Sequence, residues 1–249
     1  MDSASRAIES QVFGPRRGWA EQNKYFLQNI SADTVTLGKA TNKGIKVDTD
    51  APTYPWQDLL GSISIRGSGA ADPTYADYIG NIRGFRFTET TEDEVFIEFH
   101  IPHDYVPGTD LHIHAHWSTN GTTATGTAAG VINGGSVTWS FEVSYAKGHN
   151  TAAFIAPVTR TVTQNASATV YQHMIAETQI SAASPDATQL DTDDIVVDGV
   201  ILCRVFLANG DNDITVASGT KPAPWLHFVD IHYQSTGIGT KQKAPDFYV

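Results

Sequence analysis

Apolar and polar residues alternate with a period of two in two segments of the chain, Leu111–Trp117 and Val137–Tyr145. Successive side chains of a β-strand point to opposite faces of its sheet, so this pattern predicts two half-buried strands. Enrichment in β-branched and aromatic residues predicts further strands at Val95–Ile101, Phe154–Val162, Thr169–Ile180, Gly199–Leu207 and Trp225–Gln234. No amphipathic helix of useful length is visible, although the pattern at Tyr171–Glu177 is ambiguous.

Turn residues separate these segments, as in Pro107–Asp110, Ser184–Asp186 and Asn209–Asn212. Many short strands without a repeat of fixed period are typical of a sandwich rather than a propeller or solenoid. The sequence therefore predicts an all-β fold, a β-sandwich or jelly-roll-like domain over residues 51–243, followed by a C-terminal tail at residues 244–249.

Residues 1–50 have a different pattern, with few apolar residues and a helix-breaking segment at Gly14–Gly18. The large side chains of Trp19, Tyr25 and Phe26 would be exposed in a free tail. An extended N-terminal arm that docks on a neighbouring molecule explains both observations. A segment that folds back on its own domain is the alternative.

The segment Ser118–Ser136 is rich in Gly, Thr, Ala and Asn and has almost no core-forming residue. It predicts a long exposed loop or a hairpin excursion.

The formal net charge of −11 argues against nucleic acid as a partner, because binding to phosphates requires clustered Lys and Arg. The N-terminus lacks the apolar core of a signal peptide, and no apolar run approaches membrane-spanning length, so we expect no membrane partner. Cys203 is the only cysteine, which excludes an intramolecular disulfide.

The histidines are the candidate residues for a metal site. On a strand, His112, His114 and His116 share one face, and Asp230 and His232 share a face of a second predicted strand. If the two strands were adjacent, these five residues would suit a divalent metal such as Zn, Fe or Ni. The alternative is a polar strand face whose histidines meet water or each other.

Known catalytic motifs are absent from the sequence. It has no nucleophile elbow and no phosphate-binding Gly-rich loop with Lys and Ser/Thr, and Cys203 has no nearby His. A cupin-like metalloenzyme is the enzymatic alternative, but cupins place a carboxylate after the first His pair, and Glu98, Asp104 and Asp110 all precede the His row. We therefore expect no enzymatic activity.

Two segments resemble little-characterised tailed-phage and prophage virion proteins. Ile101–Trp117 resembles a motif that reads roughly Leu-Pro-His-x-Trp, two residues, then Gly-Thr-Asp-Ile-x-Pro-His-x-His-Trp, and Asp230–Gln234 resembles the closing Asp-Phe-His-Tyr segment of that group. In order and spacing the match spans most of residues 55–243, starting at Trp56–Leu59. The chain departs from the motif at Tyr105, where Trp is usual, and at Ile113, where Pro is usual.

The resemblance implies a structural protein of a tailed bacteriophage particle, a tail, neck or appendage component located in the virion. By analogy with phage appendages, we expect a homo-oligomer, a trimer, in which a His-x-His strand near the three-fold axis lets three chains share one ion. Residues 1–50 lie outside the match and would attach the chain to other virion proteins. A carbohydrate- or receptor-binding module at an appendage tip is the second hypothesis, with Trp117, Trp225 and the Ser118–Ser136 loop as candidates. Burial in the core is the alternative for both tryptophans, and the one we favour.

Overall fold

β-Strands are the dominant secondary structure of the residues that the structure describes. The computed structural model describes residues 54–67, 71–88, 91–148, 152–237 and Lys243, together with the backbone of two short strands near the N-terminus. The strands are β1 Thr34–Leu37, β2 Ile45–Asp48, β3 Trp56–Ser64, β4 Thr74–Ile79, β5 Ile82–Arg86, β6 Asp93–His100, β7 His112–Thr119, β8 Ile132–Gly134, β9 Ser136–Ala146, β10 Val158–Asn165, β11 Met174–Gln179, β12 Ser181–Ala182, β13 Leu190–Asp191, β14 Val200–Leu207, β15 Thr215–Val216 and β16 Pro224–Gln234. Among the described residues the only helical segment is a 3-10 turn at Thr192–Asp194, and none is a helix that could span a membrane.

Two mainly antiparallel sheets form the domain that begins at Tyr54. In the first, which we call sheet I, β7 lies between β11 and β16, and β16 pairs on its other side with β5 and β3, while β4 pairs with β5. In the second, sheet II, the order is β10, β9, β14, β6 and β3. The fold is therefore the predicted all-β sandwich.

Strand β3 belongs to both sheets. Its residues Trp56–Gly61 pair with β16, and Ser62–Ser64 pair with β6. Gly61 lies where the strand changes sheets, and a Cβ atom there would come within 2.1 Å of Ile97 Cγ2. Glycine thus lets the backbone pass close to the side chains of β6.

The core lies between the sheets and consists of the apolar side chains that alternation predicts. Trp117 of β7 and Trp139 of β9 are fully buried, with ring centroids 6.2 Å apart, and Phe87 packs edge-on against Trp139 at 5.1 Å. The Trp117 indole nitrogen donates a 2.8 Å hydrogen bond to Gln164 of β10. Side chains from both sheets therefore meet in one continuous core.

An ion-pair cluster connects β6 and β14 of sheet II. The carboxylate of Glu94 is 2% exposed and contacts the guanidinium groups of Arg204 and Arg66. Arg204 also contacts Glu92, and its guanidinium lies 4.0 Å from the centroid of the Phe206 ring. The buried charge of Glu94 thus depends on two arginines, of which Arg66 is 56% exposed.

The segment Ser118–Ser136 is more ordered than the sequence suggests. Ser118 and Thr119 are buried residues of β7, and β8 pairs with β15. Asn120 and Thr123 are also buried, and the Thr123 backbone donates to Thr127. The prediction of an exposed loop is wrong for these residues, because hydroxyl and amide groups that pair locally can be buried without apolar bulk.

Of residues 1–53, the structure describes only the backbone of the antiparallel pair β1 and β2. The predicted docking arm at residues 1–50 and the predicted tail at residues 244–249 otherwise lie outside the described residues.

Candidate functional site

The histidine row of β7 lies on the outer face of sheet I, opposite the core. The antiparallel register sets His114 beside Glu177 of β11 on one side and Asp230 of β16 on the other. One step along, His112 pairs with His232, which in turn pairs with Asp58 of β3. The two strands that carry the predicted site residues are thus adjacent, and four strands contribute polar side chains to one surface.

Although it faces away from the core, this surface is largely covered. His114 is 1% exposed, His116 7% and Asp230 2%, because side chains of neighbouring strands pack over them. The ring of Phe228 stacks on His116 at a centroid distance of 3.8 Å, and that of His232 packs edge-on against His114 at 3.9 Å. His114 and His116 are therefore buried by neighbouring side chains and do not meet water.

Asp230 is the centre of the cluster. Its Oδ1 atom lies 2.9 Å from His116 Nε2 and 3.6 Å from His114 Nδ1, and its Oδ2 atom lies 3.8 Å from His232 Nε2. One buried carboxylate therefore faces three imidazoles.

A second carboxylate lies on the other side of His114. Glu177 Oε2 is 2.7 Å from His114 Nε2, and Glu177 Oε1 is 3.6 Å from His112 Nδ1 and contacts Lys243 Nζ. The His114 imidazole and the Lys243 ammonium together hold the pKa of Glu177 at about 2, so this group is ionised at neutral pH.

Burial has the opposite effect on several imidazoles. It lowers the pKa of His112 to about 4, with a further contribution from the charge of Lys243. Burial also lowers the pKa of His173, His227 and His232 below the usual value. These four rings are neutral at pH 7 and keep a nitrogen lone pair.

Three groups of side chains hold ligand atoms close enough to share a metal ion, with all atoms of a group within 4.8 Å of one another. They are His114 with His116 and Asp230, His114 with Glu177 and His232, and Asp58 with Asp230 and His232. Four of the five predicted ligands, all except His112, therefore occur in at least one group. His112 lies at the margin of the cluster, where its ring packs against Trp56.

Sequence reasoning did not identify Asp58, Glu177 or His173 as part of this surface. Met174 and Ala176 of β11 are buried, so strand alternation places Glu177 on the opposite, outward face. This alternation could have identified Glu177 from the sequence. His173 also belongs to this surface, because its Nε2 atom lies 2.8 Å from His116 Nδ1. The residue lies just before β11, so strand alternation cannot identify it.

Aromatic rings continue the surface beyond His116. The rings of His173 and Phe228 are exposed and nearly parallel, with centroids 6.5 Å apart, and Tyr171 is exposed beside the half-buried Tyr78 at 5.5 Å. By contrast, Trp117 and Trp225 are fully buried. The alternative of burial in the core is therefore confirmed for both tryptophans, and neither ring is accessible to a sugar.

Comparisons with known proteins add a weak likeness of fold. No family model matches the chain, and no curated protein matches it. Among solved structures, a family 11 carbohydrate-binding module from Clostridium thermocellum, in complex with a β-1,3-1,4-mixed-linked tetrasaccharide, is 12% identical, with a TM-score of 0.29 over 73% of this chain and 89% of that one. The family 11 module of the cellulosomal cellulase Lic26A-Cel5E of the same organism is also 12% identical, with a TM-score of 0.28 over 82% of this chain and 95% of that one.

An exo-β-agarase is 9% identical, with a TM-score of 0.30 over 77% of this chain, and the match spans 24% of the agarase. Likeness at these levels of identity and TM-score carries no argument about function.

Proposed function

We propose that this chain is a structural component of a tailed-bacteriophage particle, a tail, neck or appendage protein that forms a symmetric oligomer and attaches through residues 1–50. The observation that carries the proposal is that the two segments that resemble phage virion proteins lie next to each other and to Trp56–Leu59, where the match begins. Trp56–Leu59, Ile101–Trp117 and Asp230–Gln234 are far apart in sequence, yet all three meet along β16.

Side-chain and backbone contacts join these segments, and Tyr233, His232 and Asp58 of the matched segments take part in them. Asp104 accepts hydrogen bonds from the Tyr233 hydroxyl at 3.1 Å and from the Ser235 hydroxyl, and its backbone oxygen accepts one from Thr236 at 2.7 Å. The side chain of Asp58 lies 2.6 Å from His232 Nε2. A motif whose separated parts make mutual contacts behaves as one structural unit, which supports a shared fold with the virion proteins rather than chance similarity.

The proposal assigns a structural role rather than catalysis to the domain. Its oligomer needs no shared ion, since one chain already brings His114, His116 and Asp230 together. We keep the trimer as the expected assembly, and native mass spectrometry of the full-length protein should then give three times the chain mass of 26.9 kDa.

Incorporation into particles is the decisive test. We expect mass spectrometry of gradient-purified particles of the phage that encodes this chain to detect it, and gold-labelled antibodies to locate it on the neck, tail or an appendage. In a phage that lacks the gene, the full-length chain should restore incorporation, whereas a variant without residues 2–45 should be incorporated at least tenfold less while remaining folded by circular dichroism. Abundance in the lysate together with absence from purified particles would refute the proposal.

Carbohydrate binding is the second candidate function, and the exposed strip of Tyr171, His173 and Phe228 favours it. Flat, exposed rings on a rigid sheet can stack against the apolar face of a sugar. If this holds, Tyr171→Ala and Phe228→Ala should each weaken glycan binding at least tenfold on an array or in affinity electrophoresis. Phe154→Ala is the matched control, because it removes an exposed ring outside the strip. Failure of the full-length protein to bind any glycan on the array would exclude this function.

A further inference from the structure

The buried triplet His114, His116 and Asp230 has the chemistry of a metal centre. Two imidazoles and a carboxylate are ligands that zinc and related divalent transition metals prefer. All three side chains are more than nine-tenths buried, whereas polar groups at such burial normally have well-aligned hydrogen-bond partners.

His114 does not follow that rule. Among the described residues, neither of its ring nitrogens has a hydrogen-bond partner in acceptable geometry. Nε2 is close to Glu177 but poorly aligned with it, and the 3.6 Å from Nδ1 to Asp230 Oδ1 is too long for a hydrogen bond. A buried imidazole with an unpaired nitrogen directed at a carboxylate indicates a missing partner between them.

The spacing suits an ion as that partner. Two ligand atoms bound to one tetrahedral Zn²⁺ at about 2.1 Å lie roughly 3.4 Å apart. The distances from Asp230 Oδ1 to His114 Nδ1 and His116 Nε2, 3.6 and 2.9 Å, lie on either side of this value. All three ligand atoms lie within 4.8 Å of one another, so adjustment of the side chains is enough to bring them to one ion.

Neighbouring side chains favour the protonation that metal binding requires of the two imidazoles. The carboxylate of Glu177 beside His114 Nε2 favours a proton on that nitrogen, which leaves the Nδ1 lone pair for the ion. His173 Nε2, 2.8 Å from His116 Nδ1, has the same effect on the second ring. Metal-binding histidines characteristically have a hydrogen-bond partner on the nitrogen remote from the metal, as His173 is for His116.

We propose that the outer face of sheet I binds one divalent transition-metal ion of the zinc class through His114 Nδ1, His116 Nε2 and Asp230 Oδ1. The site lies within one chain and leaves a fourth coordination position for water. It goes beyond the proposed role in the virion and does not depend on it, since it can be tested on the purified protein alone.

The test uses full-length protein that has been stripped with a chelator, dialysed and then incubated with excess Zn²⁺. We expect one Zn²⁺ per chain to remain bound through gel filtration, as measured by elemental mass spectrometry. His116→Gln and Asp230→Asn should each lower the affinity for Zn²⁺ at least 100-fold. In the matched control His100→Gln, which removes an exposed imidazole 2.6 Å from Asp198, the affinity should not change.

His173→Gln provides a test that does not disturb a buried group. Because His173 is exposed and contacts His116 Nδ1, we expect this variant to fold, to bind Zn²⁺ about tenfold more weakly and to shift the visible absorption bands of bound Co²⁺. Absence of bound Zn²⁺ in the wild-type protein would overturn the proposal. Wild-type affinity in both His116→Gln and Asp230→Asn, or unchanged Co²⁺ bands and affinity in His173→Gln, would also overturn it.

Discussion

Replacing Trp139 with alanine is expected to lower the free energy of unfolding by about 4 kcal/mol and the melting temperature by about 10 °C. The indole is fully buried between the sheets and packs against Trp117 and Phe87, so alanine leaves a cavity that rigid strands on both sides cannot close. Urea denaturation followed by circular dichroism measures the loss. A change below about 1 kcal/mol would contradict the packing of sheet I on sheet II through this residue.

The control is Trp139→Phe. The indole nitrogen of Trp139 has no hydrogen-bond partner among the described residues, so phenylalanine removes no pairing and little volume. We expect a loss of less than about 1.5 kcal/mol. The same change at Trp117 should cost more, because it leaves the Gln164 side chain without the indole donor.

Replacing Arg204 with methionine is expected to destabilise the domain by about 3 kcal/mol. The variant keeps most of the side-chain volume but leaves the carboxylate of Glu94, which is 2% exposed, with only the more exposed Arg66 as a counter-charge. Urea denaturation again measures the effect. The double variant Arg204→Met with Glu94→Gln should recover part of the loss, since no uncompensated buried charge remains.

Arg160→Met is the matched control for this cluster. Arg160 lies 3.2 Å from Asp186, whose carboxylate is 60% exposed, so the loss should stay below about 1 kcal/mol. Equal losses at Arg160 and Arg204 would show that burial of the carboxylate does not determine the effect.

Periodicity was sufficient to predict the faces of the strands. The alternation in Leu111–Trp117 correctly separates the core side from the histidine side, because the period of two is fixed by backbone geometry. Periodicity does not reveal that β7 pairs with β16, since residues more than 100 positions apart become neighbours only through the fold. The burial of His114 could not be predicted, because it results from side chains on β11 and β16.

Other errors have local causes. Phe154 and Ile155 are apolar but exposed, and β10 begins only at Val158, so composition alone overextended the predicted strand. Tyr171 adopts a φ of +64°, which is incompatible with the extended backbone of a strand, so β11 begins at Met174 rather than Thr169. At His227 the register shifts by one residue, a β-bulge that period-two counting cannot detect.

The shared strand β3 determines when the domain can fold during synthesis. It is the first strand of its domain, yet much of its hydrogen-bonding edge in sheet I is completed by β16, the last strand. On the ribosome, nearly the whole domain must therefore be translated before Trp56–Gly61 of β3 can pair with β16, although Ser62–Ser64 can pair with β6 earlier. Such non-local pairing slows folding and leaves strand edges open on the nascent chain, where other copies made from the same message can reach them.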